Sequence, residues 1–424
     1  MRGSMNFIAY RGGKKITNEV EFQAYLASML RLENIGLLLG AGASCSADGQ
    51  TMSQLWTSFL SDAPTSADWL LNEKFITQNE RNAPCATGLS SPSYQAENPN
   101  LEVLLDKLEI ALIEWERQAS RKLTEAKSVR LDLFRSVMRA AKLKDDWWRS
   151  PMGADLAAEL APHRAILQKL TAARQPGQPA PWVFTTNYDL AIEWASESVD
   201  LQIINGFLGV HSRRFSSQSF DLGFRNTQTK GEARFGIYNI YLAKLHGSLT
   251  WKEVNHNIFE MTASETWAEL EKFIQGESNT LNYFVLPRAA KYLQTVGYVV
   301  GELLRRFAEF MARPQTALII NGYGFGDEHI NRLIRSALLN PTLQVVVYFP
   351  EFQGDPLDLR LPETIRRLLD LQNPRLTILG GGERAYTAAL AGDLPDPTIY
   401  DQDLAELQRK LTPERPDGLG TSSP

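Results

Sequence analysis

What the chain lacks narrows the possibilities before any motif is read. It has two cysteines, Cys45 and Cys85, in 424 residues. Two are too few for a four-cysteine zinc site or a disulfide framework, and they suit a reducing, cytoplasmic setting. No run reaches the roughly 18 apolar residues of a membrane-spanning helix. The opening MRGSMNFIAYRGGKK carries positive charge with no apolar stretch behind it, so neither a span nor a signal peptide is expected. Residues 1–4 precede a second methionine at position 5 and are set aside from the fold argument. Lysine and arginine never cluster in fives and the formal net charge is -5, which argues against a dedicated nucleic-acid surface. There is no Walker-type G-x-x-x-x-G-K-[ST], no internal repeat and no heptad array.

What remains is an ordinary globular composition, 43% hydrophobic and 22% charged, in a chain long enough for two or three domains. Residues 19–33 have apolar positions at helical spacing, with Asn34 and Gly36 placed to end that helix before the strand IGLLLG. Residues 50–100 are polar and irregular, and NAPCATGLSSPSYQAENPN reads as a long surface loop. Residues 101–145 carry Leu, Ile and Val three and four apart, giving one long amphipathic helix or a pair. A further helix pattern spans 152–173, and RQPGQPAP ends it.

The character then changes. Short β-branched or aromatic runs begin near 182, 201, 237, 281, 317, 343 and 376, with helical patterns between several of them, notably 290–312 and 328–339. Alternating helices and near-continuous apolar strands predict an α/β fold, a Rossmann-like parallel sheet covered by helices and carrying an inserted, mainly helical subdomain. The expected division is an N-terminal segment 1–18, an α/β domain from 19–49 and 181–390, a helical insertion 50–180, and a C-terminal tail 391–424 whose last stretch, TPERPDGLGTSSP, reads as disordered.

Four strand-end loops hold the chemistry. LLLGAGASCSADG places Gly40 and Gly42 as the start of a dinucleotide fingerprint, with Cys45 at the third glycine position. Such glycines let a backbone approach a pyrophosphate, Ser44 offers a hydroxyl, and the following helix N-terminus would face the anion. No strand follows within the 20 or so residues where a ribose-binding acid belongs, which disfavours a hydride-transfer unit; a plain tight turn is the rival reading. VFTTNYDLAIEW delivers Asn187, Tyr188 and Asp189 to the sheet's carboxyl edge, where Asn187 or Asp189 also serves as a helix cap. YLAKLHGSLTW presents His246, Gly247 and Ser248, and a lone histidine is often structural. IINGYGFGDEHIN presents Gly322, Gly324 and Gly326, with Asp327 as a cap. Asp327, Glu328 and His329 are adjacent and do not converge, so no metal site is expected.

Taken in order, Gly40-Ala41-Gly42-Ala43-Ser44, Thr186 to Asp189, Lys244 to Ser248 and Gly322 to Asp327, the chain resembles the sirtuin family, and more closely the zinc-less sirtuin-like branch of bacterial anti-phage defence. The resemblance implies an NAD⁺ site. It places the catalytic pair on Asn187 and His246, and cofactor contacts on Gly40, Ala41, Gly42, Ser44, Thr186, Asp189, Gly247, Ser248, Gly322, Gly324 and Asp327. It also implies a cytoplasmic NAD⁺ hydrolase that depletes the cofactor in abortive infection and is held silent until self-association or a partner such as a HerA-like ATPase releases it. The helices at 101–145 and 290–312 are candidate interfaces, or plain core.

The chemistry suits that pair. Nicotinamide leaves as a neutral molecule, so no general acid is needed; an amide orients a ribose hydroxyl or water, and an imidazole takes the proton. Two other classes stay open, an NAD-dependent deacylase and a non-catalytic NAD⁺ or ADP-ribose sensor.

Overall fold

Long apolar strands with no polar alternation need cover on both faces, and Asn34–Leu39 and Thr316–Asn321 are buried over their whole length. The computed structural model describes residues 7–82, 101–143, 158–174, 177–224, 239–279 and 295–396. Cys85, the strand expected near 281, most of the polar loop before 101 and nearly all of the tail lie outside the described residues.

The strands are β1 Ile8–Arg11, β2 Lys14–Ile16, β3 Asn34–Leu39, β4 Trp182–Thr185, β5 Gln202–Ile204, β6 Phe207–Leu208, β7 Arg213–Phe215, β8 Asn239–Lys244, β9 Trp251–Val254, β10 Asn257–Glu260, β11 Thr316–Asn321, β12 Leu343–Tyr348 and β13 Leu376–Gly380. A nine-stranded sheet runs β2-β1-β13-β12-β11-β3-β4-β8-β5. It is parallel from β13 to β5, and β1 and β2 close one edge as an antiparallel hairpin. The N-terminal segment therefore contributes two strands, which the sequence reading left out because their four and three residues are too short to show a period.

Alternate residues of the central strands fill two cores. Leu38, Phe184, Leu318, Ile320, Val345 and Val347 pack on one side with Leu303, Phe307 and Phe310 of helix Thr295–Ala312. Leu37, Leu39, Val183, Leu242, Ile319 and Val346 pack on the other, with Phe22 and Leu26 of helix Glu19–Met29 and Ile166 and Leu170 of helix Ala161–Ala172. Each such side chain contributes about 1.5–3 kcal/mol. Asn34 and Gly36, expected to stop a helix, are strand residues instead. A Cβ at Gly36 would lie 2.4 Å from the Phe310 ring, so the ring dictates the glycine.

A third core belongs to the insertion. The stretch read as irregular holds helices Met52–Asp62, Pro64–Asn72 and Gln78–Arg81, two of them opened by capping boxes at Thr51/Gln54 and Thr77/Glu80. Residues 101–142 form a pair, Leu101–Arg117 and Leu123–Lys142. Their apolar faces meet Trp267 and Leu270 of helix Ala263–Ile274, and the cluster extends to Tyr188, Trp194 and Leu249. A small antiparallel sheet, β6-β7-β10-β9, packs instead on the first core, through Phe207, Trp251 and Ile258. Its β9–β10 hairpin turns at Asn255 and His256, both at positive φ (48° and 60°) as a two-residue hairpin turn of this hand requires.

Strand β3 has β4 on one side and β11 on the other, so the chain's order reverses there, and ligands of open α/β sheets bind at that switch. Two turns meet at this point. Gly40 N donates to Asn321 O (3.1 Å) and Gly42 N to Gly322 O (2.9 Å). Gly322 sits at φ +66°, and a Cβ there would be 2.1 Å from Ala43 N. Gly322→Ala should therefore lower unfolding free energy by well over 1 kcal/mol or so in urea melts. Gly324→Ala, where the same Cβ meets nothing within 4 Å, should stay within about 0.5 kcal/mol. Equal losses would show that the meeting of the turns is not what fixes Gly322.

Candidate active site

The glycine turn differs from its expectation in one respect. After Gly40 the chain enters a 3₁₀ turn, Ala41–Ala47, which Asp48 ends at φ +64°, and the next α-helix starts only at Met52. No α-helix N-terminus follows the glycines directly, so an anion there would meet the amides of a short 3₁₀ turn. The run of small residues suits this tight coil, and Gly40 and Gly42 are glycines because the Gly322 backbone lies against them.

The turn is tied to the end of β4. Asn187 Nδ2 donates to Gly40 O and to Ser44 Oγ, both at 3.0 Å. Ser44 Oγ donates in turn to Asp189 Oδ2 (2.7 Å), and Asp189 Oδ1 accepts from Ala191 N (3.0 Å). Ser44 and Asp189 are buried. A carbonyl accepts only, so the Gly40 contact fixes which end of the Asn187 amide faces it, and Oδ1 points the other way. The N-cap of helix Ala191–Glu197 is Leu190, neither of the residues expected there, but Asp189 holds that helix's first amide with one oxygen and Ser44 with the other, which joins the structural and functional readings of that motif.

The neighbouring strand supplies the histidine. Thr185 of β4 pairs with Lys244 of β8, and Asn187 and His246 each lie two residues further on, at the same level of the carboxyl edge. His246 Nε2 is 2.8 Å from Asp327 Oδ2, with the two side chains 12% and 20% exposed. Asp327 Oδ1 accepts from His329 N (2.8 Å) and Ile330 N (3.3 Å), capping helix Glu328–Ala337. Burial pushes the Asp327 carboxyl up. The hydrogen bond and charge of His246, with the N–H groups of Ile330 and His329, outweigh this and leave it below the usual carboxylate range. Tyr323 OH donates to Asp327 O (3.1 Å) and Asn331 Oδ1 (3.0 Å), steadying the loop.

The remaining expected residues are placed as follows. Thr186 N donates to Leu39 O (3.0 Å), a link from β4 to β3. Gly247 takes φ +101° in the turn after His246. Ser248 is fully buried, its hydroxyl 3.1 Å from Thr250 Oγ1, so the hydroxyl belongs to its own loop. Ala41 and Gly324 are on the rim, Gly324 exposed. Among the described residues no group of three His, Cys, Asp or Glu side chains is placed to hold a metal ion, and no helix is long and apolar enough to cross a membrane.

Three polar residues to which the sequence assigned no role, Lys244 among them although it opens one of the motifs, also border the site. His163, in helix Ala161–Ala172, is buried; among the described residues neither ring nitrogen reaches hydrogen-bond geometry with a partner. Burial pushes its pKa down, against the pull of Asp189 and the Ala43 backbone. Burial pushes the Glu351 carboxyl, just past β12, up. Lys244 carried the one available signal, a cation closing an apolar strand. It is 4% exposed, and its ammonium donates to the carbonyls of Tyr188 (3.4 Å) and Asp189 and to Glu193 Oε1 (2.8 Å). Burial also lifts the Cys45 thiol to about 11, with Asp189 and Glu351 adding to the rise, so it stays protonated at neutral pH.

Three donors matched to two buried carbonyls and a half-buried carboxylate make Lys244 the link between the Asn187 and His246 loops. Lys244→Met should cost at most about 3–5 kcal/mol in denaturant unfolding, the range for a fully buried pair, because it strands two buried carbonyls and a half-buried carboxylate. Adding Glu193→Leu should recover part of that loss, and strictly additive losses would show that the two side chains act independently.

These features set an amide, an imidazole and a glycine turn together at the switch point of a mostly parallel sheet. No curated protein matches the chain. Residues 181–361, the stretch that carries Asn187, His246 and Asp327, match the family model described as a SIR2-like domain, which supports the resemblance to the sirtuins and a use of NAD⁺.

Proposed function

We propose that the chain hydrolyses NAD⁺ to nicotinamide and ADP-ribose. The observation that carries this reading is the level pairing of Asn187 and His246 on adjacent strand ends, with the Asn187 amide oriented by Gly40 O and Ser44 Oγ. In this reading Asn187 Oδ1 accepts from a ribose hydroxyl or from water. The C1′–N bond breaks with its electron pair leaving on nicotinamide, and a water oxygen bonds to C1′. The water's proton passes to His246 and then to solvent, so that NAD⁺ and water give nicotinamide, ADP-ribose and a proton. The amide adds no charge beside the oxocarbenium-like ribose, and the imidazole takes the proton as the bond forms.

The wider role proposed is NAD⁺ depletion in bacterial anti-phage defence, released by self-association or by a partner such as a HerA-like ATPase. What favours control through the helical insertion is packing. Its core includes Tyr188 and Leu249, one residue past Asn187 and three past His246, so a partner seated on those helices would bear on both loops.

The test is to incubate the chain with NAD⁺, alone and with candidate partners, and to follow nicotinamide by chromatography. Asn187→Ala and His246→Ala should each lower release by about 10²–10⁴-fold while NAD⁺ binding persists. Undiminished turnover in both variants would sink the mechanism. Acceleration by an acetyl-lysine peptide, with the acyl group found on ADP-ribose, would replace hydrolysis by deacylation. NAD⁺ binding without turnover under every condition would leave a sensor.

A further inference from the structure

The Asp327 carboxylate does two things. One oxygen accepts from the first amides of helix Glu328–Ala337, and the other meets His246 Nε2 at 2.8 Å. The loop that brings it there starts at β11 and passes β3 and β4 to reach the end of β8, three strand spacings or about 14 Å away. A helix cap needs no such reach. We infer that Asp327 is a positioning residue for His246, fixing its orientation and its neutral tautomer, rather than a ligand of the cofactor ribose or phosphates.

An ionised carboxylate has no proton to give, so the ring nitrogen facing it carries the hydrogen. Neutral His246 is then protonated at Nε2, and Nδ1 holds the lone pair that would take the proton of the attacking water. The helix cap holds the carboxylate in place, since the two amides on Oδ1 restrict rotation of the group that Oδ2 presents. Tyr188 packs beside the imidazole, ring centres 6.3 Å apart, and limits its swing. This inference rests on the hydrolase reading for its consequence in turnover, but its structural content stands apart from that reading.

Asp327→Asn is the informative variant. Asparagine caps helices about as well as aspartate, so the fold should hold. With its oxygen kept by the cap, however, it presents an N–H to His246, which can be met only by an imidazole whose proton has moved to Nδ1. Long-range nitrogen–proton spectra of histidine-labelled protein, with His246 identified by its loss in His246→Gln, should show Nε2 protonated in the parent and Nδ1 protonated in Asp327→Asn. In the turnover assay kcat should fall at least about 100-fold with the NAD⁺ dissociation constant unchanged. Asp327→Ser, a second good cap with no charge, serves if the asparagine variant does not fold, and should also lose kcat with binding kept.

An unchanged tautomer in Asp327→Asn, or an unchanged kcat, would overturn the inference. A weakened NAD⁺ affinity at unchanged kcat would return Asp327 to the cofactor. A raised kcat would make the contact a restraint on His246. If the parent releases no nicotinamide yet the tautomer moves as stated, the pairing stands and the hydrolase reading falls.

Discussion

The carboxyl edge of the sheet depends on one close approach, the backbone contact between the turn after β3 and the turn after β11. Any side chain at Gly40 or Gly322 would fall within 3 Å of the opposite backbone, so the two turns fit only as glycines. The rest hangs from that contact. With the turns seated, the Gly40 carbonyl faces Asn187, Ser44 spans from the turn to Asp189, and the β11 loop starts where it can run across to His246. A glycine pair usually read as making room for phosphate makes room first for another part of the chain.

Below this edge the loops are held by charge as well as by sterics. Lys244 donates to the buried carbonyls of the Asn187 loop and pairs with Glu193. Nearby, Glu260 accepts from Asn205 (2.8 and 3.0 Å) and pairs with Arg213, joining the end of β5 to the small sheet. Lys244 and the Glu260 side chain are costly to bury alone and acceptable only with their partners. The site therefore rests on a base that tolerates no single deletion, while its upper rim, at Ala41 and Gly324, is open.

Much of this was legible in the sequence, and the failures share a cause. β3, β4, β8, β11 and β12 announce themselves because strands covered on both faces must be apolar throughout. The short strands β1, β2, β6, β7, β9 and β10 do not, since two to four positions outside an apolar run show no period. Residues 50–82 looked irregular because their polar surface outweighs the few buried anchors such as Trp56 and Phe59, although the capping boxes at Thr51 and Thr77 were readable. The four chemical loops were found one by one from their residue types. Their mutual contacts were not, because Ser44 and Asp189 are 145 positions apart and His246 and Asp327 are 81 apart. Composition marks a capping aspartate equally well whether or not its second oxygen has an imidazole to hold.

Strands β3 and β4 lie side by side, yet residues 40–181 separate them in the chain. Closing so long a loop adds little to the equilibrium cost, about 0.6 kcal/mol for each doubling of its length, but pairings of this range form slowly. The helices of the insertion have close neighbours in sequence and can pack early. The pair β3–β4, and β11 beside it, must wait for the chain on either side. A growing or partly folded molecule thus holds neither wall of the site, and whatever this chain does to its ligand becomes possible only once β11 has docked on β3, its residues 282 positions along the chain from their partners (Asn34 with Thr316).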